Sequence, residues 1–162
     1  MPYRPILATL GYVISADTEK VLMIHRNKRA GELHFGKYNG LGGKMEVNED
    51  IFSCMCREIQ EEAGIECEKL RLRGTISWPG FGKNGEDWFA FIFLITQWSG
   101  QVKTDNSEGS LEWIPISQLG SLPLWDGDRH FLPLVFAADE TIFHGVMPYA
   151  QGKPQSWNYR VQ

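Results

Sequence analysis

The sequence predicts a mixed α/β fold in which helices pack on the faces of a central sheet. Three observations indicate this fold: segments rich in β-branched and aromatic residues recur along the chain, two segments have helical spacing, and the strands outnumber the helices. The chain has 162 residues, of which 43% are apolar and 22% are charged. A chain of this length and composition can bury a substantial core, and we assign residues 1–162 to a single domain.

The first half of the chain is predicted to form three strands and one helix. In chain order the predicted elements are a strand at 6–15, a turn at 17–20, a strand at 21–26, a polar and basic loop at 27–37, a short strand at 38–41 and a helix at 48–64. The Gly42–Gly43 pair is predicted to form a loop before the helix. Asn48 is the expected N-cap of the helix, and Gly64 is expected to end it.

The second half is predicted to be mostly strands. In chain order it contains strands at 70–78 and 88–98 joined by a loop at 79–85, a strand at 111–116 with a short helical turn, a helix at 126–138, and a hairpin formed by 141–149 and 156–161. The helix is predicted from its spacing despite Pro133. The final hairpin is expected to turn at Gly152.

Charge and cysteine content narrow the function classes. Sixteen Lys and Arg residues face twenty Asp and Glu residues, which gives a net charge of −4. This balance argues against a broad nucleic-acid-binding face, and a strongly anionic substrate would need local cations or a metal ion. The three cysteines, Cys54, Cys56 and Cys67, form no CxxC pair, which favours a reducing cytoplasm. The longest apolar run, 89–95, is far shorter than the roughly 20 residues that span a bilayer.

The most informative segment is GKMEVNEDIFSCMCREIQEEAGI, residues 43–65. A helical wheel places on one arc the residues expected to enter the core, Phe52, Met55, Cys56, Ile59 and Ala63. Glu58, Glu61 and Glu62 lie on a second arc, about 120° away. Neighbouring carboxylates repel one another unless a cation lies among them, and oxygen ligands suit Mg²⁺ or Mn²⁺ better than zinc. The alternative is a solvated helix face, since glutamate is a good helix former.

The same segment matches the signature GX5EX7REUXEEXGU, in which U is apolar, at every fixed position. It therefore resembles the Nudix hydrolases. The resemblance implies an α/β/α sandwich around a mixed sheet. It also implies Mg²⁺-dependent cleavage of a nucleoside diphosphate linked to another group, with Mn²⁺ as a possible substitute. Metal ions would clamp the phosphate oxygens and lower the pKa of a bound water molecule.

The resemblance also implies roles for individual residues. The metal ligands would be Glu58, Glu61, Glu62, Glu108 and the carbonyl group of Gly42. Arg57 would orient Glu58, and Glu49 would fix the geometry of the loop and helix through Arg57. Related enzymes place a metal-binding or water-activating glutamate at the position of Glu108, although a polar loop residue is the alternative there. The implied catalytic residues are Arg57, Glu58, Glu61 and Glu108.

Other segments resemble the MutT-type branch of the family, which removes oxidised purine nucleoside triphosphates. Asn39, in KYNGLGGK, is positioned to read a purine edge, because an amide both donates and accepts. In the segment LWDGDRHFLPLVF, Trp125 would stack on the base and Asp128 would bond its edge. A mammalian member of the branch has two adjacent aspartates there, whereas this chain has Gly127 at the first position and Asp126 one residue earlier. Asp126 has an alternative role as a helix N-cap, and Trp125 as a core residue.

Further substrate contacts are expected from both sides of the basic loop. Arg26 lies where related enzymes carry a basic residue near the phosphates, and Lys44 follows the glycine pair closely enough to reach a phosphate. Leu33 and Phe35 are candidates to line the base pocket, and solvent-facing loop positions are the alternative for both. The segments FHGVMPY and EDWFAFIF, the second including Trp88, also resemble this branch.

The resulting hypothesis is a pyrophosphohydrolase that converts 8-oxo-dGTP, or a related purine triphosphate, to the monophosphate and pyrophosphate. Its biological sense would be sanitation of the nucleotide pool. The expected partner is a small nucleoside triphosphate, with no stable nucleic-acid complex, no membrane and a monomeric state. One alternative keeps the mechanism but changes the substrate to dinucleoside polyphosphates, nucleotide sugars or RNA 5′ ends. A second alternative is a nucleotide-binding module, which the complete set of glutamates disfavours.

Overall fold

The structure, a computed structural model, describes residues 1–162. Its elements in chain order are β1 (Ile6–Ile14), β2 (Lys20–His25), β3 (Tyr38–Asn39), β4 (Leu41–Lys44), α1 (Ile51–Ala63), β5 (Glu66–Trp78), β6 (Trp88–Ser99), β7 (Ser110–Pro115), a 3₁₀ helix (Ile116–Ser121), α2 (Asp128–Val135), β8 (Phe143–Val146), β9 (Tyr149–Ala150), β10 (Lys153–Pro154) and β11 (Asn158–Val161). Neither α1 nor α2 combines the length and apolar character that crossing a membrane requires.

Nine strands form one mixed sheet, whose main order is β11-β8-β5-β6-β1-β2-β3. The β1–β6 and β5–β8 pairs are parallel, and the other pairs are antiparallel. One edge of β1 is shared between two partners: residues 8–11 pair with β4, whereas residues 13–14 pair with β2. This division holds β4, which contains Gly42 and Gly43, against the middle of the sheet.

Two apolar cores lie on opposite faces of the sheet, and strand alternation separates them. In β2, Val21 and Met23 belong to the core that contains the buried residues of α2. Leu22 and Ile24, which alternate with them, belong to the core that contains the buried residues of α1. The predicted α/β/α sandwich with a central mixed sheet is therefore confirmed.

The segment before α1 differs from its prediction. Gly42 and Gly43 are not in a loop but within β4, where they pair with Leu10 and Thr9. The helix also begins later than expected. Asp50, not Asn48, is its N-cap, because the Asp50 carboxylate accepts hydrogen bonds from the backbone of residues 52 and 53 at 2.8 and 2.9 Å.

The buried face of α1 is rotated slightly from the predicted arc. Cys54 is buried with Met55, Ile59 and Ala63, whereas Phe52 is 48% exposed and packs its edge against Phe93. The Cys54 thiol fills a narrow space, and its Sγ lies 3.3 Å from Oγ1 of Thr9 in β1. The predicted end of the helix is confirmed, since Gly64 has the left-handed conformation (φ 74°) that favours glycine.

The second half also departs from the prediction at element ends. α2 is shorter than the predicted 126–138, and the buried guanidinium of Arg73 explains where it stops. This group donates to the carbonyl oxygens of Leu134, Val135 and Ala137 at 3.1 to 3.2 Å, which satisfies backbone groups that a continuing helix would have bonded. The predicted final hairpin exists as the β8–β11 pair, but the chain between them forms a separate hairpin of β9 and β10 around Gly152.

Candidate active site

Arg57 is the centre of an ion-pair network on the exposed side of α1. Its guanidinium donates to the carboxylates of Glu49, Glu58 (2.9 Å) and Glu61 (3.3 Å). It also donates to the carbonyl oxygen of Lys44 in β4 at 3.1 Å. These bonds hold the pKa of Glu49 at about 2 and raise that of Arg57, so both groups stay charged. One planar cation therefore fixes the helix, the segment before it and β4 together.

The glycine pair of β4 allows the sheet and the helix to approach closely. A Cβ on Gly42 would overlap the carbonyl oxygen of Thr9, and a Cβ on Gly43 would lie 2.5 Å from Oε1 of Glu58. The backbone N–H of Gly42 donates to Oε2 of Glu62 at 3.1 Å. Glycine is therefore required here by space, in a strand, rather than by the flexibility of a loop.

Glu58, Glu62 and Glu108, with the more exposed Glu61, form what we call the glutamate cluster. The pKa of Glu62 is raised to about 9, first by burial and then by the negative charges of Glu108 and Glu58. Burial also raises the pKa of Glu58. Arg57 bonds Glu58 and Glu61, but it forms no ion pair with Glu62 or Glu108. The partly buried Glu62 carboxyl group therefore has no cation of its own, and the raised pKa keeps it protonated near pH 7.

Glu108 is brought to the cluster by the loop before β7, and Asn106 fixes that loop. The Asn106 amide donates to the carbonyl oxygen of Glu62 at 3.2 Å. Its Oδ1 accepts from the backbone N–H groups of Glu108 and Gly109 at 2.9 and 3.2 Å. Arg26, at the end of β2, forms an ion pair with Glu108 at 3.5 Å. The sequence analysis did not identify Asn106, whose only local signal is its place in a polar turn.

The chemistry of the glutamate cluster fits a divalent cation. Its donor atoms are carboxylate oxygens, the ligands that Mg²⁺ and Mn²⁺ prefer. The backbone of Gly42 lies beside them, since its N–H donates a hydrogen bond to Glu62. As the side chains stand, no three His, Cys, Asp or Glu residues converge tightly enough to coordinate one ion. The Glu108 and Glu58 carboxylates nevertheless lie near enough to Glu62 to raise its pKa.

A cavity of about 260 Å³ opens beside the cluster. Its lining includes Gly42, Gly43, Glu108 and Arg26. The rest of its wall includes five aromatic residues, here called the aromatic group, namely Trp78, Phe81, Trp88, Trp125 and Tyr149. Phe81 lies at the centre of this group, with its ring centroid 5.1 to 5.8 Å from the other four. The cavity therefore joins a charged region to an aromatic one.

Several polar atoms of the cavity wall have no protein partner. The Oδ1 atom of Asn39 and the Nε1 atoms of Trp78, Trp88 and Trp125 are buried and form no hydrogen bond. Asp128 is only 8% exposed, and burial raises the pKa of its carboxyl group to about 7. Unpaired buried polar groups are costly, and the protein itself supplies no partner for these atoms.

Four of the predicted substrate-binding residues line the cavity: Arg26, Asn39, Trp125 and Asp128. The other four, Leu33, Phe35, Lys44 and Asp126, are absent from its lining. Leu33 is 78% exposed, Phe35 is 46% exposed, and the Lys44 ammonium lies 5.4 Å from the ring centroid of Trp88. Asp126 is exposed and does not cap α2, since the capping position belongs to Gly127 and carries no side-chain bond.

The basic loop contacts one residue of the cavity wall, Trp125, through His34. The His34 ring stacks on Trp125 with a centroid distance of 3.6 Å and an angle of 14°. Burial lowers the pKa of His34 to about 4, so this ring is neutral at pH 7. The sequence analysis missed His34 and also Trp78, Phe81 and Tyr149. The last three come from segments far apart in the chain, and no local spacing signals their contact.

Comparison with protein families matches residues 5–135 to the NUDIX domain. The Nudix hydrolase YvcI of Bacillus subtilis (strain 168) is 29% identical over 141 residues, which cover 85% of this chain and 83% of that protein. The oxidized purine nucleoside triphosphate hydrolase of Mus musculus is 28% identical over 123 residues, or 76% of each chain. Among solved structures, the MutT protein from Bacillus halodurans has a TM-score of 0.81 and 25% identity, covering 95% of this chain and 97% of that one.

Proposed function

Since the chain belongs to the Nudix hydrolase family, we propose that it hydrolyses an oxidised purine nucleoside triphosphate, such as 8-oxo-dGTP, to the monophosphate and pyrophosphate. The observation that carries the proposal is that one cavity is lined by both charged and aromatic residues. Arg26, Glu108 and the glycine pair line one part of it, and the aromatic group with Asn39 and Asp128 lines another. A triphosphate attached to a flat, polar-edged base has both kinds of surface.

The aromatic group supports a base as the ligand. Trp125 and Phe81 stack with ring centroids 5.8 Å apart and an angle of 28° between the rings. Trp78 also stacks with Phe81, and their ring centroids are 5.1 Å apart. Aromatic side chains bind bases through their faces, at about 1–3 kcal/mol per stacked base. Asn39 and Asp128 would supply hydrogen bonds to the base edge, because neither side chain is fully satisfied by protein groups.

The glutamate cluster would hold the divalent cation, with Glu58, Glu61, Glu62, Glu108 and the Gly42 carbonyl group as ligands. When bound, Mg²⁺ would neutralise phosphate charge and make water more acidic. Arg57 keeps Glu58 oriented through the bond at 2.9 Å. Arg26 would contact phosphate oxygens, and its presence in the cavity lining and its unpaired Nε support this role. Asn106 keeps Glu108 beside Glu62, because its side chain is hydrogen-bonded to the backbone of both residues.

Chromatographic identification of the reaction products in the presence of Mg²⁺ tests this function, because dinucleoside polyphosphates and nucleotide sugars are cleaved without release of pyrophosphate. The panel compares 8-oxo-dGTP with dGTP, dATP, a dinucleoside tetraphosphate and a nucleotide sugar, and Mn²⁺ and Ca²⁺ replace Mg²⁺ in parallel reactions. We expect the highest kcat/KM for 8-oxo-dGTP and pyrophosphate as the product. Preferred cleavage of another compound would keep the hydrolase but reject the assigned base. Absence of cleavage throughout the panel would favour a nucleotide-binding module.

A further inference from the structure

Tyr149 enters the cavity wall from the C-terminal part of the chain, beyond the residues 5–135 that match the family domain. Its backbone is fixed against the loop between β5 and β6. The N–H of Tyr149 donates to the carbonyl oxygen of Pro79 at 2.8 Å, and a Cβ on Gly80 would lie 2.7 Å from the Tyr149 carbonyl oxygen. The ring then meets Phe81 edge to face, with centroids 5.1 Å apart and an angle of 78°. Tyr149 is therefore held rigidly.

The Tyr149 hydroxyl occupies the space beside the start of α2. A Cβ on Gly127 would overlap the hydroxyl oxygen, so the missing side chain at this position makes room for the phenol. The next residue is Asp128, whose negative charge adds to burial in raising the pKa of Tyr149. Burial and charge, without any hydrogen bond, account for the pKa values of both groups. Two adjacent polar side chains thus border the cavity without a protein partner.

The wall places a donor close to an acceptor. The Tyr149 hydroxyl can donate, the Asp128 carboxyl group can accept, and neither forms a hydrogen bond with the protein. A tyrosine hydroxyl with a raised pKa stays protonated throughout the physiological range. A purine edge with a keto oxygen beside a ring N–H matches this donor and acceptor, whereas an edge with an amino group beside a bare ring nitrogen leaves the Tyr149 donor and the Asp128 acceptor poorly matched.

We propose that the Tyr149 hydroxyl donates to a keto oxygen on the purine edge while Asp128 bonds the neighbouring ring position. Tyr149 is thereby a specificity-determining residue for keto purines over amino purines. This inference rests on the proposed function of the same site. It adds a residue from the β9–β10 hairpin to the pocket, and it gives Gly127 a defined part, which is to leave space for the phenol.

The Tyr149→Phe variant tests the proposal, because it removes only the hydroxyl and keeps the edge contact with Phe81. We expect KM for 8-oxo-dGTP to rise about tenfold, as for loss of one hydrogen bond to an uncharged group. The KM for dATP should change less than twofold, and kcat for both substrates should stay within twofold. The kcat/KM for 8-oxo-dGTP divided by that for dATP should therefore fall about tenfold. Tyr159→Phe is the matched control, since Tyr159 lies on β11, is 50% exposed and does not line the cavity.

A second variant acts on the same hydroxyl without deleting it. In Gly127→Ala the new Cβ would lie 2.3 Å from the Tyr149 hydroxyl oxygen and 2.6 Å from the sulfur of the buried Met147, so both groups must shift and we expect the same fall in the substrate ratio. Thermal melts confirm that each variant is folded. An unchanged ratio in folded Tyr149→Phe overturns the proposal, even where 8-oxo-dGTP is hydrolysed well.

Calorimetric binding of 8-oxo-dGMP separates this proposal from the proposed function, because it needs no turnover. If the unaltered protein hydrolyses none of the panel but binds 8-oxo-dGMP about tenfold more tightly than Tyr149→Phe does, the hydrolytic function fails and the role of Tyr149 stands. If the two proteins bind 8-oxo-dGMP equally, or if neither binds it, the role of Tyr149 is rejected.

Discussion

The aromatic group lines the cavity and the glutamate cluster reaches it through Glu108, but the chain builds these two regions in different ways. Glu58, Glu61 and Glu62 lie within one turn and a half of α1, and only Glu108 comes from elsewhere. The five members of the aromatic group come from β5, the loop after it, β6, the segment before α2 and β9. The proposed chemical step therefore depends on a local motif, whereas substrate choice depends on distant segments that can change independently.

Replacement of Glu58 should have the greatest effect on activity, and it should affect the chemical step rather than substrate binding. Glu58→Gln should lower kcat for 8-oxo-dGTP by about 10²–10³-fold, as when a group acting mainly in the transition state is lost. KM should change little, because Glu58 does not border the aromatic group. Pyrophosphate release at saturating substrate measures the effect. Glu68→Gln, an exposed position on β5, is the matched control, and equal kcat values for the two variants would contradict the role of Glu58.

The second prediction concerns stability on the aromatic side. Burial raises the pKa of Asp128 from 3.8 to about 7, so the folded state retains a proton that the unfolded chain releases. Stability attributable to this group is therefore lost as pH rises from about 4 to 7. Asp128→Asn should remove that loss. The unfolding free energy of the variant minus that of the unaltered protein should therefore be larger at pH 8 than at pH 4, by about 4 kcal/mol at most.

Urea unfolding of both proteins at pH 4, 6 and 8 measures this difference. The quantity to follow is the unfolding free energy of Asp128→Asn minus that of the unaltered protein, because other titrating groups cancel in the subtraction. A difference that does not increase with pH would show that Asp128 is ionised in the folded state at low pH.

A smaller effect is expected at the centre of the aromatic group. Phe81→Leu keeps an apolar side chain but removes the ring that contacts the other four aromatics. We expect KM for 8-oxo-dGTP to rise about tenfold, consistent with loss of about 1–3 kcal/mol of stacking, with kcat within threefold. Steady-state kinetics separates the two parameters. A fall in kcat with constant KM would mean that the two regions are not independent.

The smallest effect is expected in the basic loop outside the cavity. Leu33→Ser changes a side chain that is 78% exposed, so KM and kcat should both stay within about twofold. His34→Ala, the neighbouring variant, removes the ring stacked on Trp125 and should raise KM by more. Equal or reversed effects of the two variants, measured with the same substrate, would show that Leu33 closes over the bound base.

Prediction from sequence succeeded where the determining interactions are local. The end of α1 at Gly64, the strand predicted at 21–26 and the carboxylates on one helix face follow from short-range periodicity and backbone preference. It failed for Gly42 and Gly43, because a glycine pair favours a loop unless a neighbouring strand pairs with it. The extent of α2 was also missed, since the buried Arg73 that ends it comes from β5.

The family, the sandwich class and the candidate glutamates could be predicted from the amino-acid sequence, because these properties are encoded in contiguous patterns and fixed spacings. The side chains that border the cavity could be identified only from the folded chain. It placed His34 rather than Leu33 against Trp125, and it set Tyr149 into the space left by Gly127. Such contacts depend on how separate strands and loops pack, and a linear pattern carries no record of distances between segments far apart in the chain.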